Sequence, residues 1–312
     1  MARVSHPSNN TLPHLDLCHF QADDSLSARP ETIKQLTKRD DLDASLCVSV
    51  AETGSFNLLL VEAPEVDATE LKAAIRWRIK ELIDFHIDDA VFDVFDIPGQ
   101  QQRGRQKMMY VVASRYNSVK EQIDLLEGAC VNLTAIDIPE LAMRNIAALL
   151  PEDNNGVALL HFGPSETILT LTRQETFYLS RNREYSAQQL LIDAAAEDNT
   201  TEVGELALEP VDDSGISPAL QQQLDNIILE TQRSMDYYES HFSLPPISGL
   251  VIAPTEKPVP GMMAYLANNL GLPVRMLDLN TVLECEEPLS DEVQAKCLLA
   301  IGAALRQEAR TL

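Results

Sequence analysis

The chain has 312 residues, enough to bury a core in two or more subdomains, and its hydrophobic content of 45% is ordinary for a globular protein. Its 48 acidic and 24 basic residues give a formal net charge of -24. That charge repels phosphate backbones and anionic lipid head groups, so it argues against nucleic-acid binding and membrane-surface binding. The plain interpretation is that the acidity keeps the protein soluble, and the functional alternative is a partner with a basic segment.

No stretch approaches the roughly 20 uninterrupted apolar residues that a membrane helix needs, and the N-terminus lacks the apolar core of a secretory signal. We therefore expect a cytoplasmic protein without direct membrane insertion. The five cysteines are scattered and form no CxxC pair, which suits a reducing compartment and argues against a disulfide framework. The six histidines show no paired spacing, so no metal site is expected.

The first part of the chain predicts a small subdomain. Two strand-like runs, 44–50 and 56–62, flank a turn at Gly54, and the apolar period then changes from that of a strand to that of a helix. One helical face carries Leu71, Ile75, Ile79, Leu82 and Ile83. Strands at 91–97 and 108–113 follow, so the order strand, helix, strand, strand predicts a compact unit.

The rest of the chain repeats the scheme of strand hairpins that lead into helices, which predicts a two-lobed α/β protein. An exposed acidic insertion is expected at 197–217. The predicted strands are 131–136, 157–162, 167–172, 176–180, 250–253 and 274–277, and the predicted helices are 117–127, 139–150, 188–196, 218–242, 262–270 and 291–308.

Four stretches resemble one known family. They are 71–96; 110–114 with 125–129 and 136–142; 160–163 with Thr167 and Arg181; and 230–238 with 250–253 and 265–274. In order and spacing these stretches resemble the PilM-type pilus-assembly proteins, and most closely the MshI proteins of mannose-sensitive haemagglutinin (MSHA, type IV) pilus biogenesis.

The resemblance implies an α/β fold of the actin-like kind, with two lobes, a ribonuclease H-like core in each lobe, and an inserted FtsA-like strand-helix-strand-strand subdomain. It implies a first lobe made of residues 1–63, 130–150 and 291–312, in which the N-terminal hairpin is missing. Residues 64–129 would form the inserted subdomain, and residues 151–290 the second lobe.

The resemblance also implies a scaffold that sits under the inner membrane. Such a protein binds the short cytoplasmic N-terminal peptide of a PilN-like, single-pass inner-membrane partner, in a groove beside the inserted subdomain, and other pilus-assembly components are further candidate partners. An extended peptide could add there to a strand edge. The residues assigned to this partner-binding site are Ile75, Trp77, Ile79, Val111 and Ala113.

Trp77, the single tryptophan, allows two interpretations. It lies between Arg76 and Arg78, off the main apolar face of its helix. It either packs into the core at a subdomain boundary or lines the partner groove.

An actin-like ATPase needs an aspartate in a first hairpin to orient the metal, a DxG hairpin to hold phosphates, and a Gly-Gly turn that admits adenine. Here the first hairpin is expected to be absent, because the chain starts where the family is already past it. His161 stands in place of the second aspartate, although Gly163 and Thr167 are kept, and Ala253-Pro254 replaces the Gly-Gly turn. We therefore expect no catalytic residue, no hydrolysis, and neither ATP nor Mg²⁺ as cofactor.

Two other functions stay open on the sequence alone. One is an ATP-binding actin-like ATPase that is truncated at its N-terminus. The other is the cytoplasmic component of a type II secretion system, of the GspL type, which shares the fold and normally continues into a membrane helix.

Overall fold

The computed structural model describes residues 1–6, 11–22, 29–42, 45–100, 106–195 and 216–307. The chain divides into two compact units: unit 1 is Met1–Phe20 with Glu140–Leu312, and unit 2 is Gln21–Pro139. In this division residues 21–63 fall into the same unit as the inserted subdomain and not with 291–312. The three-part division inferred from the sequence stays a prediction.

The elements alternate between strands and helices along the chain. The strands are β1 (Ala2–Ser5), β2 (His14–Cys18), β3 (Cys47–Val50), β4 (Phe56–Glu62), β5 (Ala90–Asp96), β6 (Met108–Arg115), β7 (Leu133–Asp137), β8 (Val157–Phe162), β9 (Thr167–Arg173), β10 (Thr176–Arg183), β11 (Gly249–Ile252), β12 (Val274–Met276) and β13 (Glu284–Cys285). The helices are α1 (Arg29–Arg39), α2 (Ala68–Ile79), α3 (Tyr116–Gly128), α4 (Pro139–Ala147), α5 (Ala187–Ala195), α6 (Pro218–Phe242), α7 (Met262–Leu270) and α8 (Asp291–Ala304).

A five-stranded sheet forms the centre of unit 1, in the order β10-β9-β8-β11-β12. Strands β8, β9 and β10 form an antiparallel meander, and β11 and β12 continue the sheet parallel to β8. By order along the chain this is the 3-2-1-4-5 arrangement of a ribonuclease H-like core, so the predicted fold class is confirmed. All six residues of β8 are buried, as expected for a central strand covered on both faces.

One face of this sheet packs against α4 and α8. The shared core cluster contains Leu159 of β8, Met143 and Ile146 of α4, and Leu298 and Ile301 of α8, all of them fully buried. This cluster fixes the carboxyl end of β8, where the nucleotide site of an actin-like protein is expected.

A hairpin is present near the N-terminus, and the absence of the family's aspartate-bearing first hairpin stays a prediction. Strands β1 and β2 are antiparallel, and β13 adds to β2 in parallel. The sole side-chain carboxylate within residues 1–18 is that of Asp16. It accepts a hydrogen bond from Ser5 Oγ at 3.1 Å and lies 3.6 Å from Arg3 Nε. The hairpin therefore exists without an aspartate in its turn, and the part of that turn at residues 7–10 lies outside the described ranges.

Unit 2 contains the predicted strand-helix-strand-strand order as β4, α2, β5 and β6. The three strands form an antiparallel sheet in the order β4-β6-β5, and β3 pairs in parallel with β7. Helix α2 covers one face of the three-stranded sheet through a core that includes Ile75 and Ile79. Helix α2 ends at Ile79. Leu82 lies beyond this end and is 54% exposed, so it does not belong to the buried apolar face on which it was predicted.

One polar segment of the chain, residues 29–39, forms helix α1. The predicted acidic insertion at 197–217 lies almost wholly outside the described residues. Among the residues that the structure describes, no helix is long and apolar enough to cross a membrane.

Candidate functional site

The positions expected to hold phosphate lie together on the β8–β9 hairpin. His161 is the fifth residue of β8 and pairs across the ladder with Ile168, while Phe162 pairs with Thr167. The Gly163 N–H donates to Glu166 O at 2.8 Å, which closes the turn. Thr167 Oγ1 donates to Tyr185 O at 2.6 Å. The amide of Gly163 and the hydroxyl of Thr167 are therefore both used inside the protein.

Gly163 is required by this turn for a steric reason. A Cβ at this position would lie 2.9 Å from Glu166 O, a distance that real Cβ atoms essentially never show. The glycine is thus explained by the hairpin itself, and its presence does not by itself indicate a phosphate site.

His161 has an unusual environment for an ionisable side chain. It is 7% exposed, and its Nδ1 has no hydrogen-bond partner. Burial lowers the pKa of His161 to about 4, so the imidazole is neutral at physiological pH. A neutral imidazole offers nitrogen where Mg²⁺ prefers oxygen ligands, so this position does not fit a magnesium-nucleotide site.

The neighbours of His161 across the sheet form a row of side chains on one face. The ladder pairs His161 with Ile168 and Ile168 with Asn182, so the three side chains point to the same side. At the far end of this row, Asn182 Nδ2 donates to Glu140 Oε1 at 3.2 Å. Glu140, in the first turn of α4, is 1% exposed. Sequence reasoning singled out neither Glu140 nor Asn182, because only the register of β9 and β10 brings them to this row.

The Ala253-Pro254 turn, which stands in place of the Gly-Gly turn of an ATPase, lies next to the β8–β9 hairpin. The Ala253 N–H donates to Leu160 O at 2.8 Å, so the end of β11 lies beside the end of β8. Ala253 and Pro254 are both buried. A proline has no N–H to donate and fixes its own φ, so this turn lacks the open backbone that the Gly-Gly turn of an ATPase provides. The structure thus brings all five of these positions, His161, Gly163, Thr167, Ala253 and Pro254, to adjacent strand ends.

In the part of the chain that the structure describes, acidic, histidine and cysteine side chains do not gather into a metal site. Among the described residues, no group of three or more His, Cys, Asp or Glu side chains could hold a metal ion. The expectation that the protein works without a metal stays a prediction.

The five residues assigned to partner binding divide into two sets. Ile75, Ile79, Val111 and Ala113 are each 0% exposed and belong to the core between α2 and the three-stranded sheet. Trp77 is 75% exposed, so it does not pack into a core. The spacing explains the division, because a residue two positions from both Ile75 and Ile79 lies on the opposite side of a helix with 3.6 residues per turn. The partner-binding role itself stays a prediction.

Basic side chains surround the exposed indole of Trp77. Lys80 Nζ lies 5.6 Å from the ring centroid, within the range of a cation–π contact. Arg78 Nη1 is paired with Glu62 Oε2 at 3.0 Å, and Arg76 is paired with Asp88. These pairs hold α2 to the flanking β4 and to the segment before β5, so the tryptophan stands on a fixed helix.

Two strands next to α2 lie at the edges of their sheet within the described residues. In the described residues β4 and β5 each pair only with β6, so each is an edge strand of its sheet. An edge strand offers unpaired N–H and C=O groups to which an extended peptide can add.

The strand order in unit 1 and the strand-helix-strand-strand arrangement in unit 2 define a mixed α/β protein of the actin-like class. Within this class, the chain belongs to the PilM family of type IV pilus assembly proteins, whose model matches residues 30–308. A solved structure described as the PilM-PilN type IV pilus biogenesis complex matches with a TM-score of 0.72 and 21% identity, over 97% of this chain and 94% of that chain.

Two other solved structures match more weakly. One is the cytoplasmic domain of EpsL, an inner membrane component of the type II secretion system of Vibrio cholerae, with a TM-score of 0.39, 13% identity, and coverage of 89% of this chain and 82% of that chain. The other is a protein of Bacteroides thetaiotaomicron with an actin-like ATPase fold and unknown function, with a TM-score of 0.45, 9% identity, and coverage of 96% and 94%. Both scores are too low to support an argument. No curated protein sequence matches the chain.

Proposed function

We propose that this chain is a scaffold of a type IV pilus assembly machine of the MSHA type, and that within its family it is an MshI-like protein. The observation that carries the proposal is the fold match to the PilM-PilN complex over 97% of the chain. The partner is then a PilN-like single-pass protein of the inner membrane, bound through its short cytoplasmic N-terminal peptide. The chain works in the cytoplasm and is held at the inner face of the membrane by this partner.

In this proposal the protein does not turn over a nucleotide. Support comes from the neutral, buried imidazole of His161, from the internally bonded donors of Gly163 and Thr167, and from the closed Ala253-Pro254 turn. The same observations weigh against the ATPase alternative, and the one side-chain carboxylate within residues 1–18, that of Asp16, is paired with Arg3.

Mg-ATP is expected to leave the thermal unfolding midpoint unchanged. A ligand present at 100 times its Kd stabilises the folded state by about 2.7 kcal/mol, which thermal shift detects easily. The control is a partner peptide added to the same protein sample, which should raise the midpoint. A shift with Mg-ATP that is absent with ATP and a chelator would contradict the degenerate site without touching the scaffold role.

We place the peptide contact on the outer face of α2, around Trp77. Exposed large aromatic side chains that stand on rigid elements are frequent hot spots of binding interfaces. The buried Ile75 and Ile79 have a positioning role, because they lock α2 onto the sheet. The edge strands β4 and β5 supply main-chain groups for an extended peptide on either side of the helix.

The binding test uses the synthetic N-terminal peptide of the single-pass pilus protein and isothermal calorimetry. We expect a Kd in the low micromolar range or tighter, which corresponds to about 8 kcal/mol. Since Trp77 is the sole tryptophan, its fluorescence reports this site directly, and its emission maximum should shift to shorter wavelength when the peptide covers it. Trp77→Ala should weaken binding by about 10-fold or more.

Leu46→Ala is the matched control, because Leu46 is also in unit 2 and is 74% exposed. It should leave the affinity unchanged. If folded wild-type protein gives no binding heat, the scaffold proposal is wrong. If the peptide binds wild type and Trp77→Ala equally, the scaffold role stands and the site on α2 is wrong.

A further inference from the structure

A β-bulge in the N-terminal hairpin directs a cysteine into the core of unit 1. The ladder pairs Val4 with Leu15 and Ala2 with Cys18, and its register shifts between Arg3 and Val4. Without the bulge, Leu15 and Cys18 would point to opposite faces, because they are three residues apart on a strand. With the extra residue, both side chains lie on the face that Val4 and Ala2 share. Leu15 belongs to the core cluster, and the other three pack against it.

The same core contains a second cysteine from the other end of the chain. Cys297 of α8 is 1% exposed and belongs to the cluster against which Cys18 packs. Helix α8 lies against both β1 and β2. Helix α8 thus brings Cys297 to the side of the hairpin that carries Cys18, and all five cysteines are free in this structure.

The contact makes the two thiols chemically unequal. The neighbouring Cys18 lowers the pKa of Cys297, although burial opposes this change, and the Met1 ammonium lowers it further. The neighbouring Cys297 raises the pKa of Cys18. A thiolate is the reactive form toward oxidants, so a thiol with a lowered pKa beside a second thiol makes a pair suited to oxidation.

We propose that Cys18 and Cys297 form an oxidisable pair, and that their intramolecular disulfide ties the N-terminal hairpin to the last described helix. With hydrogen peroxide as oxidant, one sulfur attacks a peroxide oxygen, which gives a sulfenic acid and a first water. The second sulfur then attacks the first, the S–S bond forms, and the hydroxyl leaves as a second water with the remaining proton. Two thiols lose two electrons, and one peroxide is reduced to two waters.

The third cysteine of this region is a less suitable partner. Cys285 of β13 pairs in register with Leu15, so it lies beside that residue in the sheet. Its thiol is half-buried at the rim of the same cluster. Of the two neighbouring thiols, Cys297 raises the pKa of Cys18 the most and Cys285 the least.

The test treats the full, reduced protein with hydrogen peroxide and measures its intact mass, its disulfide map and its thermal unfolding. We expect a loss of about 2 Da, a cross-linked peptide that joins Cys18 to Cys297, and full reversal by dithiothreitol. Because the link closes a loop of nearly the whole chain, the unfolding midpoint should rise by about 5 °C or more.

Cys18→Ser and Cys297→Ala should each abolish the mass loss and the rise in the midpoint. Cys130→Ser, which changes an exposed thiol of unit 2, should abolish neither. A map that joins Cys285 to either residue overturns the proposed pairing. Thiols that stay reduced in folded wild-type protein, or that go directly to sulfinic acid, overturn the disulfide. These readouts do not depend on pilus partners.

Discussion

Replacing Gly302 by alanine is expected to destabilise unit 1 by about 3 kcal/mol or more, the largest single effect we predict. Gly302 lies where α8 crosses α4. A Cβ at this position would be 2.3 Å from Ala142 O and 2.7 Å from Ala142 C. Both are backbone atoms of a buried helix, so neither can turn aside as a flexible side chain could.

A buried hydrogen bond also fixes the crossing of α4 and α8. Asn145 Nδ2 of α4 donates to Gly302 O at 2.8 Å, and Asn145 is 8% exposed. If the helices separate to admit a methyl group, this buried hydrogen bond is strained or lost. Both costs exceed the gain of about 1 kcal/mol that alanine brings to a helix interior.

Urea unfolding followed by far-UV circular dichroism measures the effect. Gly128→Ala is the matched control, because Gly128 is also helical and a Cβ there would meet nothing within 4 Å. That variant should be neutral or more stable by up to about 1 kcal/mol. Equal stability of Gly302→Ala and wild type would show that α4 and α8 do not cross at this distance.

Much of the fold follows from local sequence signals. Apolar runs separated by turn residues predicted the meander β8–β10, whose order is confirmed. Helix α6 begins after Ser217, whose hydroxyl accepts from Leu220 N at 3.1 Å, and Pro245 and Pro246 follow its end, so both bounds could be predicted. These signals act over a few residues, which is why a single sequence contains them.

Features that depend on distant pairing could not be predicted in this way. Strand β13 has two residues and no periodicity of its own, and it exists because it pairs with β2. The contact between Cys18 and Cys297 joins the two ends of the chain. Glycine at position 302 is a weak signal by itself, since the sequence does not say which helix crosses there.

Some features of the candidate site could be predicted from the sequence, and others could not. The positions of His161 and Ala253 could be predicted, because each ends an apolar strand, and the sheet brings the two ends together. The partner-binding set rests on the groove that the resemblance implies, although the spacing of Ile75 and Ile79 already indicates a core face. The same spacing places Trp77 on the outer side of α2. The helical period alone therefore argues against packing of Trp77 in the core.

Acid is expected to weaken the wild-type protein through His161. Burial lowers the folded-state pKa of this residue from 6.5 to about 4. Between these values the unfolded chain binds a proton that the folded chain does not bind, so the stability falls as the pH falls. The lowered pKa of His161 changes the free energy of unfolding by about 3 kcal/mol in total. About 2 kcal/mol of this stability is lost between pH 7 and pH 5.

His161→Leu removes the titrating group while it keeps an apolar side chain on β8. At pH 7 the variant should be as stable as wild type or more stable, because His161 Nδ1 has no hydrogen-bond partner to lose. Urea unfolding gives the free energy of unfolding of the variant minus that of wild type. This difference should be about 2 kcal/mol larger at pH 5 than at pH 7. The difference between the two proteins, measured at each pH, cancels the titration of every other group.

His86→Gln is the control for this experiment, because His86 is an exposed histidine of unit 2 with 68% of its side chain accessible. A gain at low pH of similar size in this variant would point to a cause other than burial at position 161. A constant difference for His161→Leu would mean that the imidazole is solvated or paired when the protein is folded. A solvated imidazole at the end of β8 would imply an open site there, and the proposal of a closed, degenerate nucleotide site would then fail with it.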